Sequence, residues 1–164
     1  MDDIAASWAN FFIAEVGATA SLTGLIIVAV SINLKSILEN PQLPGRAGEM
    51  LIMLVCVLLT SSLGLMPGQA TRTFGAEVAV AGLLMTVSPL TIQLRHLRAI
   101  KEQPISWWLW RFIVVLCAGV PVMIGGGELV AGRSEGFYWA AAGILATLAA
   151  TILNSWVLLV EILR

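Results

Sequence analysis

Charge is scarce in this chain: only 12% of its 164 residues are Asp, Glu, Lys or Arg, where soluble domains carry roughly a quarter. Histidine occurs once and cysteine twice. A single His excludes paired-histidine haem ligation within one chain. Cys56 and Cys117 fall in the middle of hydrophobic segments, away from His96, so no zinc ligand set forms and the two thiols read as small packing residues. Neither a metal nor a cofactor is expected. Net charge is −1, so no basic field for nucleic acid exists. HExxH, a Gly-rich phosphate loop and a nucleophile elbow are all missing, and the chain is not expected to be an enzyme. The opening "MDDIAASWAN" has no positive flank and no cleavage site. The first hydrophobic segment is therefore expected to stay in the mature protein. Neither terminus carries a lipidation motif.

What is abundant is apolar surface, at 59% of residues. A soluble fold of this size cannot hide that much, because the buried fraction is limited by surface-to-volume scaling. The expected solvent is lipid. A spanning helix needs about 20 apolar residues, and five stretches qualify: 11–34, 47–66, 74–94, 107–127 and 137–160. Lone spans cannot leave backbone groups unpaired in hydrocarbon, so these are helices. The expectation is an all-α, single-domain bundle of five transmembrane helices over residues 1–164. "ENPQLPGRAGE" (39–49), "MPGQATRT" (66–73), "RHLRAIKEQP" (95–104) and "ELVAGRSEG" (128–136) break the spans. His96 in "RHLR" reads as a solvated loop residue. Short loops make sequential helices antiparallel, and no internal repeat suggests an inverted-repeat transporter.

Lys and Arg set the orientation. Five spans put Lys35, Arg46, Arg95, Arg98, Lys101, Arg111 and Arg164 on one side and only Arg72 and Arg133 on the other. The positive-inside rule then places the C-terminus in the cytoplasm and the N-terminus outside. Asp2, Asp3, Glu15, Glu77, Glu128 and Glu135 fall outside, whereas Glu39, Glu49, Glu102 and Glu161 fall inside. Trp107, Trp108, Trp110 and Trp156 mark the inner interface, and Trp8, Tyr138 and Trp139 the outer one.

The first span carries unusual chemistry in "EVGATASLTG" (15–24). At about 100° per residue, Thr19, Thr23, Ile26, Val30 and Asn33 all fall within about 80° of Glu15. From outside inward this stripe runs carboxylate, two hydroxyls, two aliphatics, carboxamide. It could line an ion pathway, with Ile26 and Val30 as the dry constriction. Glu15 has three open readings: an ion pair to Arg72 or Arg133, a water-filled pathway, or interfacial exposure. Glu77 on the third span shares them, because intramembrane acids face a bundle interior or water. The threonines can also bond back to their own helix, and Asn33 can cap the inner helix end. Opposite the stripe lie Gly17, Ser21, Gly24 and Ser31, small residues that admit a neighbouring backbone. With two protein-facing sides, the first helix is expected to be central in the protomer or in an assembly. Pro89 and Pro121 interrupt the third and fourth spans. Gly125, Gly126 and Gly127 read as a loose helix exit or a hinge.

The runs "FFIAEVGATASLTGLIIVAVSINL" and "NPQLPGRAGEMLIMLVCVLLTSSLGLMPGQ" resemble a family of small bacterial multi-pass integral membrane proteins. The marks of that likeness are the GATASLTGL and VSINL segments, the LPGRA loop and the MPGQ exit, over about the first 70 residues. The resemblance implies a membrane location and carries no established activity or site. The expected function is an oligomeric protein of the bacterial inner membrane that forms a small cation-conducting pathway lined by the first helix. The alternative is a non-conducting accessory subunit that docks another membrane protein through the small-residue face. Expected partners are the lipid bilayer and further copies of the chain, with no nucleic acid.

Overall fold

A computed structural model describes residues 2–39, 43–99 and 105–162, with side chains over 7–39, 43–97 and 108–156. Arg98, Lys101, Glu102, Trp107, Glu161 and Arg164, used above for orientation, have side chains outside the described residues, as do Asp2 and Asp3. All described elements are helices: α1 (Asp2–Ile32), α2 (Leu34–Glu39), α3 (Leu43–Leu63), α4 (Thr71–Ala99), α5 (Ile105–Val130) and α6 (Gly136–Ile162). Five of them, α1 and α3–α6, are long and apolar enough to cross a membrane. Each coincides with one expected span to within a few residues, apart from the N-terminal end of α1. Their outward faces are rich in Leu, Ile and Val, as with Leu25, Leu59, Val80 and Leu153. In lipid such faces cost nothing to expose.

The added element is α2, a single short helix whose Ile37 packs on Leu43, Ala47 and Met50. It is too short and too polar to register as a span. The following break is also shorter than expected. α3 begins at Leu43, because Pro44 sits in the first turn, where its missing N–H has no partner to lose. Glu49 is thereby drawn into the helix and buried. At the other end of the chain's most charged stretch, α4 runs on to Ala99. His96 is accordingly not a solvated loop residue. Its ring lies so close to Gly45 at the start of α3 that any Cβ there would overlap it.

α4, α5 and α6 form the tightest part of the bundle, α3 packs on α4 and α6, and α1 leans chiefly on α3. The glycines explain the closeness. A Cβ on Gly126 would lie 2.2 Å from the Ala79 backbone nitrogen, and one on Gly125 would lie 2.6 Å from that of Ala140. The run Gly125–Gly127, expected as a loose exit or hinge, is instead continuous helix to Val130. Two of its members let α4 and α6 approach from opposite sides, and close approach is what small residues supply in lipid. Pro89 and Pro121 both sit inside unbroken helices. The α5 terminus is made one turn later by Gly132. Its φ of 83° lets the Arg133 N–H donate to Glu128 O at 2.9 Å, a left-handed helix cap.

α1 is not central in the protomer. Only 17% of its apolar window is buried, against 56% for α3. Its buried side is the Glu15 stripe, and its small-residue side faces outward: Cβ atoms at Gly17 and Gly24 would meet nothing.

Candidate functional site: two buried polar clusters on α3

α1 and α3 meet at a fixed register. A Cβ on Gly64 would come within 2.8 Å of the Phe12 ring, so Phe12 rests on α3 at that level. Phe12 also joins Phe74, Phe137, Phe11 and Trp8 in an aromatic cluster that closes this end of the bundle. Glu15 is one turn further along the same face of α1, and Thr19 one turn beyond it. Thr60 and Ser61 are one turn before Gly64 on the facing side of α3. Because the helices run antiparallel, this register brings Glu15 to the level of Thr60 and Ser61, with Thr19 one turn deeper.

All four are buried: Glu15 is 6% exposed, Thr60 2%, and Thr19 and Ser61 0%. Glu15 Oε2, Thr19 Oγ1, Thr60 Oγ1 and Ser61 Oγ have no hydrogen-bond partner. The rest of the chain behaves differently. Ser21, Thr23, Ser31, Thr86, Thr147, Thr151 and Ser155 each donate to the carbonyl four residues earlier, the usual habit of a membrane hydroxyl. Among the described residues, Thr19, Thr60 and Ser61 are the buried hydroxyls that make no hydrogen bond at all. Glu15 has no ion-pair partner among the described residues: Arg133 bonds Glu128 at 3.0 Å, and Arg72 lies exposed at the start of α4. The expected ion pair to Arg72 or Arg133 is therefore not formed, and burial rules out interfacial exposure. A small crevice of about 40 Å³, lined by Phe12, Gly64, Gln69, Thr71 and Phe137 among others, lies at this end of the bundle.

The remaining stripe divides. Ile26 is buried, and Thr23 and Val30 are half-buried. Asn33 Nδ2 donates to Ala29 O at 2.9 Å and so finishes the helix end. Glu77 is not part of this cluster. It accepts a hydrogen bond from Gln69 Nε2 and borders an apolar groove between α3 and α4 that Cys56, Leu59, Thr60 and Val80 also line.

A second cluster occupies the opposite end of α3. Glu49 accepts from Arg111 through both carboxylate oxygens, at 2.8 and 2.7 Å, and from Gln93 Nε2 at 3.0 Å. The pair is nearly dry, with side chains 11% and 9% exposed. Arg111 also lies over the Trp108 ring, 5.6 Å from its centroid, a favourable placement for a guanidinium. Gln93 Oε1 is buried without a partner and borders a cavity of about 40 Å³ shared with Arg46, Glu49, Thr151 and Asn154. Glu49, Gln93 and Arg111 each lie six residues inside a helix end, or about 9 Å deep. Between the clusters α3 presents only apolar buried side chains: Met50, Met53, Leu54, Cys56 and Val57. Glu49 and Thr60 are eleven positions apart, about 16 Å along the axis.

Thr60, Ser61, Glu49, Gln93 and Arg111 were not singled out from the sequence. Two of them left a signal there. Glu49 and Arg111 are opposite charges inside the expected second and fourth spans, at the same end of the bundle. A search for family models, curated proteins and solved structures similar to this chain found no match.

Proposed function

We propose that this chain is a protein of the bacterial inner membrane that passes a small cation through each protomer, along the α1–α3 interface. The observation that carries the reading is the buried Glu15 carboxylate with no basic partner. An isolated carboxylate in a low-dielectric interior is strongly disfavoured until something neutralises it. A cation entering from the Phe12 end of this interface would meet Glu15 before any other carboxylate on α1. Leu54, Val57, Met53 and Ile26 form the dry barrier beyond, a hydrophobic constriction of the kind that gates by dewetting. On the far side Glu49 is the next anionic group, and Arg111 holds it neutral until a cation competes for it. The seven-to-two Lys/Arg split puts the Glu15 end outside and the Glu49 end in the cytoplasm.

This differs from a ring of first helices around a shared pore. In such a ring the stripe would face the symmetry axis, whereas Glu15, Thr19 and Ile26 are covered by the chain's own helices. A second reading has its own observation. The Gly17, Ser21, Gly24 and Ser31 face of α1 is exposed, and side chains at Gly17 and Gly24 would meet nothing within the protomer. That face suits a partner helix, of a second copy or of another membrane protein.

Flux through reconstituted vesicles tests the first reading. Val57→Ser and Leu54→Ser wet the barrier and should raise cation leak above wild type. Leak that stays at the level of empty vesicles for wild type and both variants refutes passage and leaves the docking reading.

A further inference from the structure

We infer that the groove between α3 and α4 binds a single-chain amphiphile with a cationic amine head, the head at Glu77 and the chain along the apolar lining. The groove has a volume of about 360 Å³. That is within the range of small-molecule sites, which are mostly apolar with a few placed polar groups. Leu59 of α3 and Val80 and Leu84 of α4 line it and are each roughly half exposed, so it opens towards lipid. Cys56 and Thr60, both buried, line it as well.

The groove carries its charge at one end only. Glu77 is seven residues from Leu84 on α4, about 10 Å along the axis. Glu77 is also nearer the start of α4, so the charged end is the one towards the membrane surface and the apolar end the one towards its middle. That gradient matches one head above one chain. Charge selects the head. Glu77 accepts from Gln69 Nε2, a neutral donor, and no Lys or Arg pairs with it among the described residues. A carboxylate so placed favours a cationic donor, because charge-assisted hydrogen bonds are roughly twice as strong as neutral ones. Thr60 is an independent sign of an open position: it lines the groove, is 2% exposed and has no hydrogen-bond partner for its hydroxyl. Unlike a phospholipid, a simple amine brings no phosphate to repel Glu77 and has only one chain to house.

The site is separate from the proposed passage at Glu15, and its test does not involve flux. The full chain is placed in phosphatidylcholine nanodiscs, which supply no primary amine, and irradiated with decylamine that carries a diazirine at the end of its chain. The alcohol and the carboxylic acid of the same chain, with the same diazirine, run in parallel. The amine should label residues 56–63 and 76–84 about tenfold more strongly than either control, the scale of one charge-assisted hydrogen bond. Unlabelled decylamine should compete and decanol should not. Glu77→Gln keeps the side chain's size and should remove the preference for the amine. Ala76→Phe, at an exposed position of the lining, should cut labelling by filling the groove. If Glu77→Gln does not fold, the three probes on wild-type protein decide the matter alone. Equal labelling by amine and alcohol, or labelling spread evenly over all five long helices, reflects ordinary contact with hydrocarbon and overturns the site. A full amine preference in a folded Glu77→Gln overturns it too.

Discussion

Removing Arg111 from its partner is the sharpest perturbation of the packed bundle. In Arg111→Met an aliphatic stem is kept, and the guanidinium is lost together with its place over the Trp108 ring. Glu49 then keeps the neutral donor Gln93 Nε2 at 3.0 Å, with Arg46 bordering the same cavity. Breaking a buried pair from one side costs about 3–5 kcal/mol, because a charge is left without compensation. Two features argue for the lower end. The pair is about 9 Å from the helix ends, outside the middle of a core about 30 Å thick. The adjoining cavity of about 40 Å³ has polar side chains on part of its wall and room for water, which can partly solvate the carboxylate. About 3 kcal/mol is therefore expected for Arg111→Met and a similar loss for Glu49→Met. The double variant should lose about 1 kcal/mol or less, since replacing both partners by apolar groups is nearly neutral. The coupling, the difference between the double variant and the summed singles, is then about 5 kcal/mol, and reversible unfolding in mixed micelles measures it as a double-mutant cycle. A coupling under about 1 kcal/mol, the range of exposed pairs, would refute a dry ion pair at this depth.

Other consequences follow from single positions. Gly126→Ala should destabilise the bundle strongly, since its Cβ would lie 2.2 Å from the Ala79 nitrogen. Gly127→Ala, next in sequence with open space around it, should be neutral or up to about 1 kcal/mol stabilising from helix propensity; comparing the two Tm values checks both. Gly17→Leu and Gly24→Leu should leave the protomer's stability intact, so any loss they cause must appear as fewer protomers per particle in light scattering or native mass spectrometry. For orientation, an impermeant maleimide should label a cysteine placed at Ser134 in intact cells and miss one at Ser36. The reverse pattern would invert the topology.

Much of the fold can be read from composition and run length, because in lipid a span must satisfy its backbone alone and must be about 20 residues long. The finer features depend on contacts that no single segment records. The GGG run reads as loose in isolation, since glycine lowers helix propensity. Its meaning appears only when Ala79 and Ala140 stand against it. α1 reads as two-sided because both of its faces carry small or polar residues, yet its cover comes chiefly from α3 on one side and the other face is left open. The Glu15 stripe is legible from helical periodicity, including its boundary with the outward side. Thr60 and Ser61 are not, because their role depends on the antiparallel register that Phe12 and Gly64 set. Glu49 and Arg111 occupy an intermediate position. Their charges inside spans are visible, but sequence order alone assigned both to the inner surface, where each would need no partner.

The most direct test of the account is electrogenic cation uptake into vesicles that contain purified wild-type chain, driven by an inside-negative potential and compared with Glu15→Gln and with empty vesicles. Passage through the α1–α3 interface predicts uptake that wild type supports, that Glu15→Gln cuts at least several-fold, and that scales linearly with the number of chains per vesicle. Uptake unchanged in Glu15→Gln, or rising as a higher power of chain number, would contradict a path built inside one protomer around this carboxylate.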